Sequence, residues 1–518
     1  LAQAYRLRTV LPFPLAEYRD EFEGGDTAAF DDLLSRSDHV WAPPEVVGSH
    51  DRGYSLAGET TVAQSDLLLA IWDGEPARGR GGTADVVDHA IRRGVPVIHL
   101  PTKRAGSPSV LWSAFSGLAP DRLDRHSVPQ RPLTATVLEE ALSALFAPPS
   151  AAAETAALAR FFRERQPRLR LRPEYPLLLA ATGVQRLRRR NLISTDYEVV
   201  ADAEWRGFFE HPLVRDASVH AGMATVQKAF AWSDGLADHY AQTYRSALIF
   251  NYGAAALSVL LALSSLLAPE AKVGLLVGEL ALICLLITNT ALGNRQEWHR
   301  RWLDYRQVAE QLRAMRSLTL LGAANPLRPL HGVKDSGWRW TDWYTAAIWR
   351  DIGAPPSIHS EAEVDALISH LTEQEVVPQV RYNRVSATRM RRLDHRLHLM
   401  GTALFYATAA LGLLGLVGLA FDPGLLHAQG PLLTVLSAGL PTIGAALFGI
   451  RGQGDFIGAS GRSAETADKL QSLAEELKAR PVDLIHACRA LENAAQIMRA
   501  DLGEWRVSYR HRRLAIPA

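Results

Sequence analysis

The stretch Asp73-Gly74-Glu75-Pro76-Ala77-Arg78-Gly79-Arg80-Gly81-Gly82-Thr83 holds the residue types best suited to chemistry on a phosphate. Gly79, Gly81 and Gly82 let the backbone come close to a ligand. A helix starting at Thr83 would offer free amide groups and the positive end of its dipole to an anion. Arg78 and Arg80 can add charge-assisted hydrogen bonds to the same group. The pattern is neither a Walker loop nor the dinucleotide fingerprint, and on spacing alone a plain loop between strand and helix explains it equally well.

Carboxylates surround this loop. Asp66 and Asp73 flank the apolar run Leu67–Trp72, and Asp85 follows the glycines. Asp66 and Asp73 could reach ribose hydroxyls or act as general acid or base. The plainer reading has Asp66 bonding in a turn, and Asp88 and His89, further along the same helix, as solvated surface. With two cysteines in all and no zinc or redox spacing, no metal and no cofactor is expected.

A scaffold must hold these residues together. Residues 1 to about 148 alternate strand-like apolar runs with amphipathic helical stretches, which implies an α/β fold with a parallel, doubly wound sheet. The strands are expected at Tyr5–Phe13, Asp38–Trp41, Leu67–Trp72 and Val95–Leu100. Helices are expected at Leu15–Phe22, Thr27–Ser35, Ala57–Ser65, Thr83–Arg93 and Ala135–Phe146. Ligands in such sheets gather outside the C-terminal strand ends. Pro12, Phe13 and Pro14 lie there after the first strand, Asp73–Thr83 after the third, and Pro101–Arg104 after the fourth.

The segments "SDLLLAIWDG", "GRGGTADVV" and "GVPVIHL", with "RTVLPFPLAEYRDEF" ahead of them, resemble the nucleotide-sensing SLOG domains, relatives of the Lonely Guy phosphoribohydrolases and the Smf proteins. The resemblance covers about residues 1–105 and implies a Rossmann-like domain binding a nucleotide-like molecule. It places the superfamily's first strand, with its glycine loop, upstream of Leu1. The hydrolases read P-G-G-x-G-T-x-x-E, whereas Thr83 here is followed by Ala84, Asp85 and Val86. That departure favours sensing over hydrolysis, with Asp73 and Asp85 the candidate catalytic residues if hydrolysis of an N-glycosidic bond survives.

The second half of the chain contains four apolar runs, Leu248–Ala268, Val273–Leu292, Leu397–Phe421 and Pro431–Ile450, each about long enough to cross a bilayer and free of Lys and Arg. They pair as two hairpins. Arg245, Arg295, Arg300, Arg301, Arg389, Arg391, Arg392, Arg396, Arg451 and Arg462 flank them on one side, while the loops within the hairpins hold only Lys272. Both termini and the central connector should then be cytoplasmic, in a multi-pass inner (plasma) membrane protein.

Charge divides the same way. Residues 1–150 carry 14 Lys and Arg against 20 Asp and Glu, and the remainder 42 against 35. The acidic part argues against nucleic-acid binding, and the basic part suits anionic lipid headgroups. Trp298, Trp302 and Tyr305, interleaved with arginines just after the second run, read as anchors at headgroup depth. Phe230, Trp232, Leu236, Tyr240 and Tyr244 fall on one helical face and read as core.

"AFAWSDGLADHYAQTYRSAL" before the first hairpin and "RWLDYRQVAEQLRAMR" after it resemble the SLATT family, two-span effector domains that accompany SLOG sensors in bacterial conflict systems. "GDFIGASGRSAETADKLQSLAEEL" behind the second hairpin resembles a related module. The resemblance covers roughly residues 200–512 and implies an oligomeric, pore-forming or membrane-disrupting output under a nucleotide signal. Asn251, Glu279, Thr288 and Asn289 are the candidates for a pore lining or bundle interior. Gly412, Gly415 and Gly418 form a stripe that permits close helix approach, within one chain or between copies.

The resulting expectation divides the chain into 1–148, a ligand-sensing domain; 149–200, a linker; 201–320, a first two-span module; 321–385, a connector; and 386–518, a second module. Two other readings stay open: a membrane-tethered hydrolase of a nucleotide or NAD-like substrate, and an anchor with a degenerate α/β domain.

Overall fold

The structure is a computed structural model that describes residues 6–43, 50–102, 106–117, 122–326, 328, 338–353, 355–356, 360–421, 423–479, 484–509 and 514–517. Tyr5, Lys103 and Arg104, named above, lie outside the described residues.

The N-terminal elements run β1 (Leu7–Val10), α1 (Leu15–Arg19), α2 (Gly25–Ser35), β2 (Ser37–Trp41), α3 (His50–Ala63), β3 (Leu68–Trp72), α4 (Thr83–Arg92), β4 (Val97–Pro101), β5 (Ser109–Leu111), β6 (Gln130–Pro132) and α5 (Ala135–Phe146). β1 pairs with β2 and β3 with β4, both in parallel across helical connections. This is the α/β architecture that the alternation implies. The doubly wound layout is corrected in two respects: β1–β2 forms a sheet of its own, and β5 and β6 extend β3–β4 antiparallel. Each of these added strands has three residues, β5 following Pro108 and β6 following Pro129 and ending on Pro132, too short a run to carry a period-2 signal.

Burial explains why α4 sits where it does. Ala84, Val87, Ala90 and Ile91 are buried on one helical face, and the last three pack with Leu68, Ala70, Val95 and Val97 into one core. The other face of β3 is open, with Leu69 54% and Ile71 65% exposed.

The remainder is helical: α6 (Ala152–Arg163), α7 (Glu174–Ala181), α8 (Tyr197–Phe209), α9 (Pro212–Arg215), α10 (Ala217–Ser264), α11 (Lys272–Arg295), α12 (Trp298–Leu320), α13 (Trp340–Asp351), α14 (Glu361–Leu371), α15 (Val377–Phe421), α16 (Pro423–Gly454), α17 (Phe456–Ala479) and α18 (Leu484–Tyr509). The helices α10, α11, α15 and α16 are long and apolar enough to cross a membrane. The 48 residues of α10 span about 70 Å, more than twice a ~30 Å hydrocarbon core, so its first half belongs to the soluble bundle. Leucines and valines on α11 and α15 point outward with no protein cover, as lipid-facing positions do: Val277 is 61% and Leu416 68% exposed.

The two hairpins pack against each other through α10 and α16, where Gly449 leaves room for the Tyr252 ring and Gly439 for Leu260. Within the second hairpin, Gly401 and Gly444 admit Phe448 and Phe405. These glycines, rather than Gly412, Gly415 and Gly418, bring the helices together. Among the described residues, the latter three have no atom beyond their own stretch of helix within 4 Å of where a side chain would start.

On the soluble side, one core joins Trp205 and Phe208 of α8, Phe230 and Leu236 of α10, Tyr305 and Leu312 of α12, Trp340 of α13 and Leu470 of α17. Trp41 of β2 and Leu56 of α3 belong to it, which ties the α/β region to the bundle. The headgroup-anchor reading of α12 is corrected here. Trp298 and Tyr305 are buried, Trp302 packs on the same core, and Arg301 and Arg306 pair with Glu164 and Asp234. The physical reason is that α12 folds back along α10 as the central strut of the bundle, so protein surrounds it.

Candidate functional site

The turn after β1 and the glycine loop after β3 both close on the first turns of α3. Leu11 and Phe13 are buried, and Pro14 leads into α1 with its carbonyl accepting from the Tyr18 amide at 3.0 Å. Gly53 lies against the Pro12 carbonyl and the Phe13 ring, where any side chain would collide. On the other side Gly81 has φ +81°, and a Cβ there would stand 2.6 Å from the Tyr54 carbonyl carbon. Glycine is needed at 81 for both reasons. The start of α3 is therefore clasped between the two loops, and Phe13 meets Tyr54 edge to face at 5.3 Å.

The glycine loop is held by its own neighbours. Asp85 accepts from the Gly81 amide at 3.2 Å, and Gly82 caps α4, its carbonyl accepting from the Asp85 amide at 2.9 Å. Gly79 stands beside Asp51. Asp73 accepts from the Glu75 amide at 3.0 Å and faces Arg78 at 3.9 Å. Thus Gly79, Gly81, Gly82, Thr83 and Asp85 form one cradle, with Pro12 and Phe13 across α3 and Asp73 turned onto its own loop. Arg78 is almost fully exposed at the rim of the loop.

Asp51, Gly53, Tyr54 and Glu21 of this crevice were not expected from the sequence, because the helix was placed from Ala57 onward. The signal was Gly53 with Gly58: two glycines on one helix mark close approaches, the second against Val86 of α4. Tyr54 donates to Glu21 at 3.0 Å, and burial with that acidic neighbour pushes its phenol up to about 12, so it stays protonated.

Asp66 stands away from the crevice. It accepts two hydrogen bonds of 2.9 Å from Arg350 of α13, and Arg328 lies at 3.5 Å. His89 is corrected from solvated surface to a half-buried position against α18, beside Arg93 and Cys488. Burial, then Arg93, Arg92 and Arg489, lower its imidazole to about 4. Asp88 pairs with Arg125.

In the first hairpin, Asn251 and Asn289 are buried and bonded to each other at 2.7 Å. Asn251 also donates to Thr290 and to the Ala515 carbonyl, and Arg172 donates to Asn289 at 2.6 Å. Thr288 is exposed and donates to the Cys284 carbonyl, and Glu279 is half-exposed about a third of the way along α11. The structure thus brings Asn251 and Asn289 together and keeps Thr288 and Glu279 apart from them.

Residues 228–325 match the family model described as "Protein of unknown function (DUF4231)". The DUF4231 segment takes in most of α10, all of α11 and α12, and therefore Asn251, Glu279, Thr288 and Asn289. No curated protein and no solved structure matches the chain.

Proposed function

We propose that this chain is a multi-pass membrane effector in which a nucleotide-like ligand, held in the α/β crevice, controls the arrangement of the DUF4231 hairpin and its neighbour. The observation that carries this reading is the path through α4. Its N-terminus is the glycine cradle. At its other end, about 15 Å away, Arg93 pairs with Glu492 of α18, which packs on α12. A ligand that changed the cradle would bear directly on the strut that continues the second span. Coupling of this kind requires unequal affinity of the ligand for the two arrangements.

Asp73 and Asp85 direct oxygens at the loop's own amides, which suits holding a ligand more than attacking one. The SLOG and SLATT resemblances, an oligomeric assembly and a role in bacterial conflict belong to the same proposal. So does the orientation with both termini cytoplasmic in the inner membrane, supported by the arginines on the soluble side of all four spans.

The test uses full-length protein in dye-loaded liposomes with AMP, NAD and ADP-ribose as probes. Leakage triggered by one of them, together with a raised Tm and no release of base or ribose 5-phosphate, is the expected result. Turnover lost in Asp85→Ala would instead establish a hydrolase. Absence of leakage with every probe would refute the effector reading.

A further inference from the structure

Between the two hairpins, on their soluble side, lies a cleft of about 400 Å³ formed by the loops around α7, the middle of α10 and the start of α15. Its walls carry Arg170, Arg186, Arg190, Arg245 and Arg389, and among the described residues none of the five is in an ion pair. The acids nearby do not compensate them. Asp234 pairs with Arg306 at 2.7 Å and Glu204 with Arg313 at 3.3 Å, which leaves Asp238 as the remaining carboxylate on the wall.

The arginines are positioned by neutral groups. Arg170 donates to Gln242 and Arg389 to Gln185, both at 3.2 Å, while Arg245 lies over the rings of Trp302 and Tyr175. The Nε atoms of Arg170 and Arg389 are buried with no hydrogen-bond partner. Clustered guanidinium groups repel one another, and their forked donors match phosphate oxygens. The volume lies in the range of small-molecule sites.

We infer that this cleft binds a phosphate-bearing polyanion, a second ligand site distinct from the α/β crevice, with which it shares no residue. The occupant contributes at least two phosphate groups' worth of charge. It comes either from solution or from a lipid headgroup, since α7 packs beside Ser246 and Leu393, where the apolar runs begin. Arg245 belongs to the first hairpin and Arg389 to the second, so the ligand cross-links their bases. The cleft continues past Asp238 and Arg245 into a further 160 Å³ between α12 and α17, which puts the same ligand in reach of the strut.

The experiment uses full-length protein in nanodiscs of phosphatidylcholine, titrated with inorganic tripolyphosphate at fixed ionic strength, beside native mass spectrometry of detergent-solubilised protein with phosphatidylglycerol and cardiolipin. A soluble source gives saturable tripolyphosphate binding, weakened about tenfold or more in Arg170→Gln/Arg389→Gln. A lipid source gives a retained cardiolipin that the same variant loses. Arg186→Gln/Arg190→Gln, at exposed positions where folding is not at stake, weakens binding in whichever arm is positive. No binding in either arm, or binding that survives both variants, overturns the proposal. So does tripolyphosphate binding lost only on Gly82→Val, which would place it in the α/β crevice.

Discussion

Asp66, at the threshold of β3, holds Arg350 of α13 through two parallel hydrogen bonds of 2.9 Å. Arg328 joins from a third direction, its guanidinium buried, donating to the Ser65 carbonyl at 2.8 Å. Burial lowers Arg328 to about 10, and Asp66 opposes that shift. This triad, with Trp338 donating to the Ala144 carbonyl and Trp343 to that of Phe146, fastens the α/β region to the bundle.

Asp66→Asn should leave both arginines without a carboxylate. Because the Asp66–Arg350 pair is about one-fifth exposed, the expected loss lies between the surface and buried cases, about 2 kcal/mol. A double-mutant cycle with Arg350→Gln in thermal unfolding checks it, and strictly additive losses would count against the clasp.

Acid should loosen the same interface through His89. Its folded value of about 4 lies below the ordinary 6.5, so the unfolded chain takes up the proton first as pH falls. Stability is then unaffected above 6.5 and lost from there down to about 4, by at most about 3 kcal/mol from this group. His89→Gln should flatten the acid limb of a Tm–pH profile. An unaltered limb would contradict it.

The two cradle glycines should respond differently. Gly81→Ala adds strain at positive φ and a clash with α3, so we expect a loss of about 2 kcal/mol and of ligand binding. At Gly82 a Cβ would stand 3.0 Å from that of Ala77, and φ is −63°, so Gly82→Ala should cost well under half as much. Equal Tm values for the two variants would show that the loop does not sit on α3 in this way.

The C-terminal segment should act as a latch on the first hairpin. Leu514 is buried at Gly293, and Asn294 exchanges two hydrogen bonds with it, of 2.9 and 3.0 Å. Removing residues 514–518 deletes these and the Ala515 bond to Asn251, for an expected loss of about 2–3 kcal/mol. Spontaneous liposome leakage should rise. Leakage and Tm both at the level of the intact chain would dismiss the latch.

Asn289→Leu should strand the Arg172 donor and the Asn251 carbonyl oxygen in a buried place, at about 2 kcal/mol. Thr288→Val, one residue earlier but exposed, should be nearly silent in the same unfolding assay.

Most elements were legible in the sequence, with β5, β6 and the first turns of α3 the exceptions. Apolar runs marked β1 to β4, amphipathic stretches marked α2, α4 and α5 to within two residues, and four long apolar runs marked the spanning parts of α10, α11, α15 and α16, because each signal is local to one element. It also marked the glycine cradle, since only glycine tolerates what Gly81 does. Partnership was not legible there. Asp66 meets arginines 262 and 284 residues away, His89 is covered by α18, and Trp298 and Tyr305 are buried by the bundle instead of reaching the lipid. The arginine cleft assembles from Arg170, Arg245 and Arg389, which no sequence window contains. A side chain's hydropathy states what environment it tolerates. Which neighbour supplies that environment depends on long-range packing, and for a charged group on this chain that choice is the difference between a solvated surface, a clasp and a ligand site.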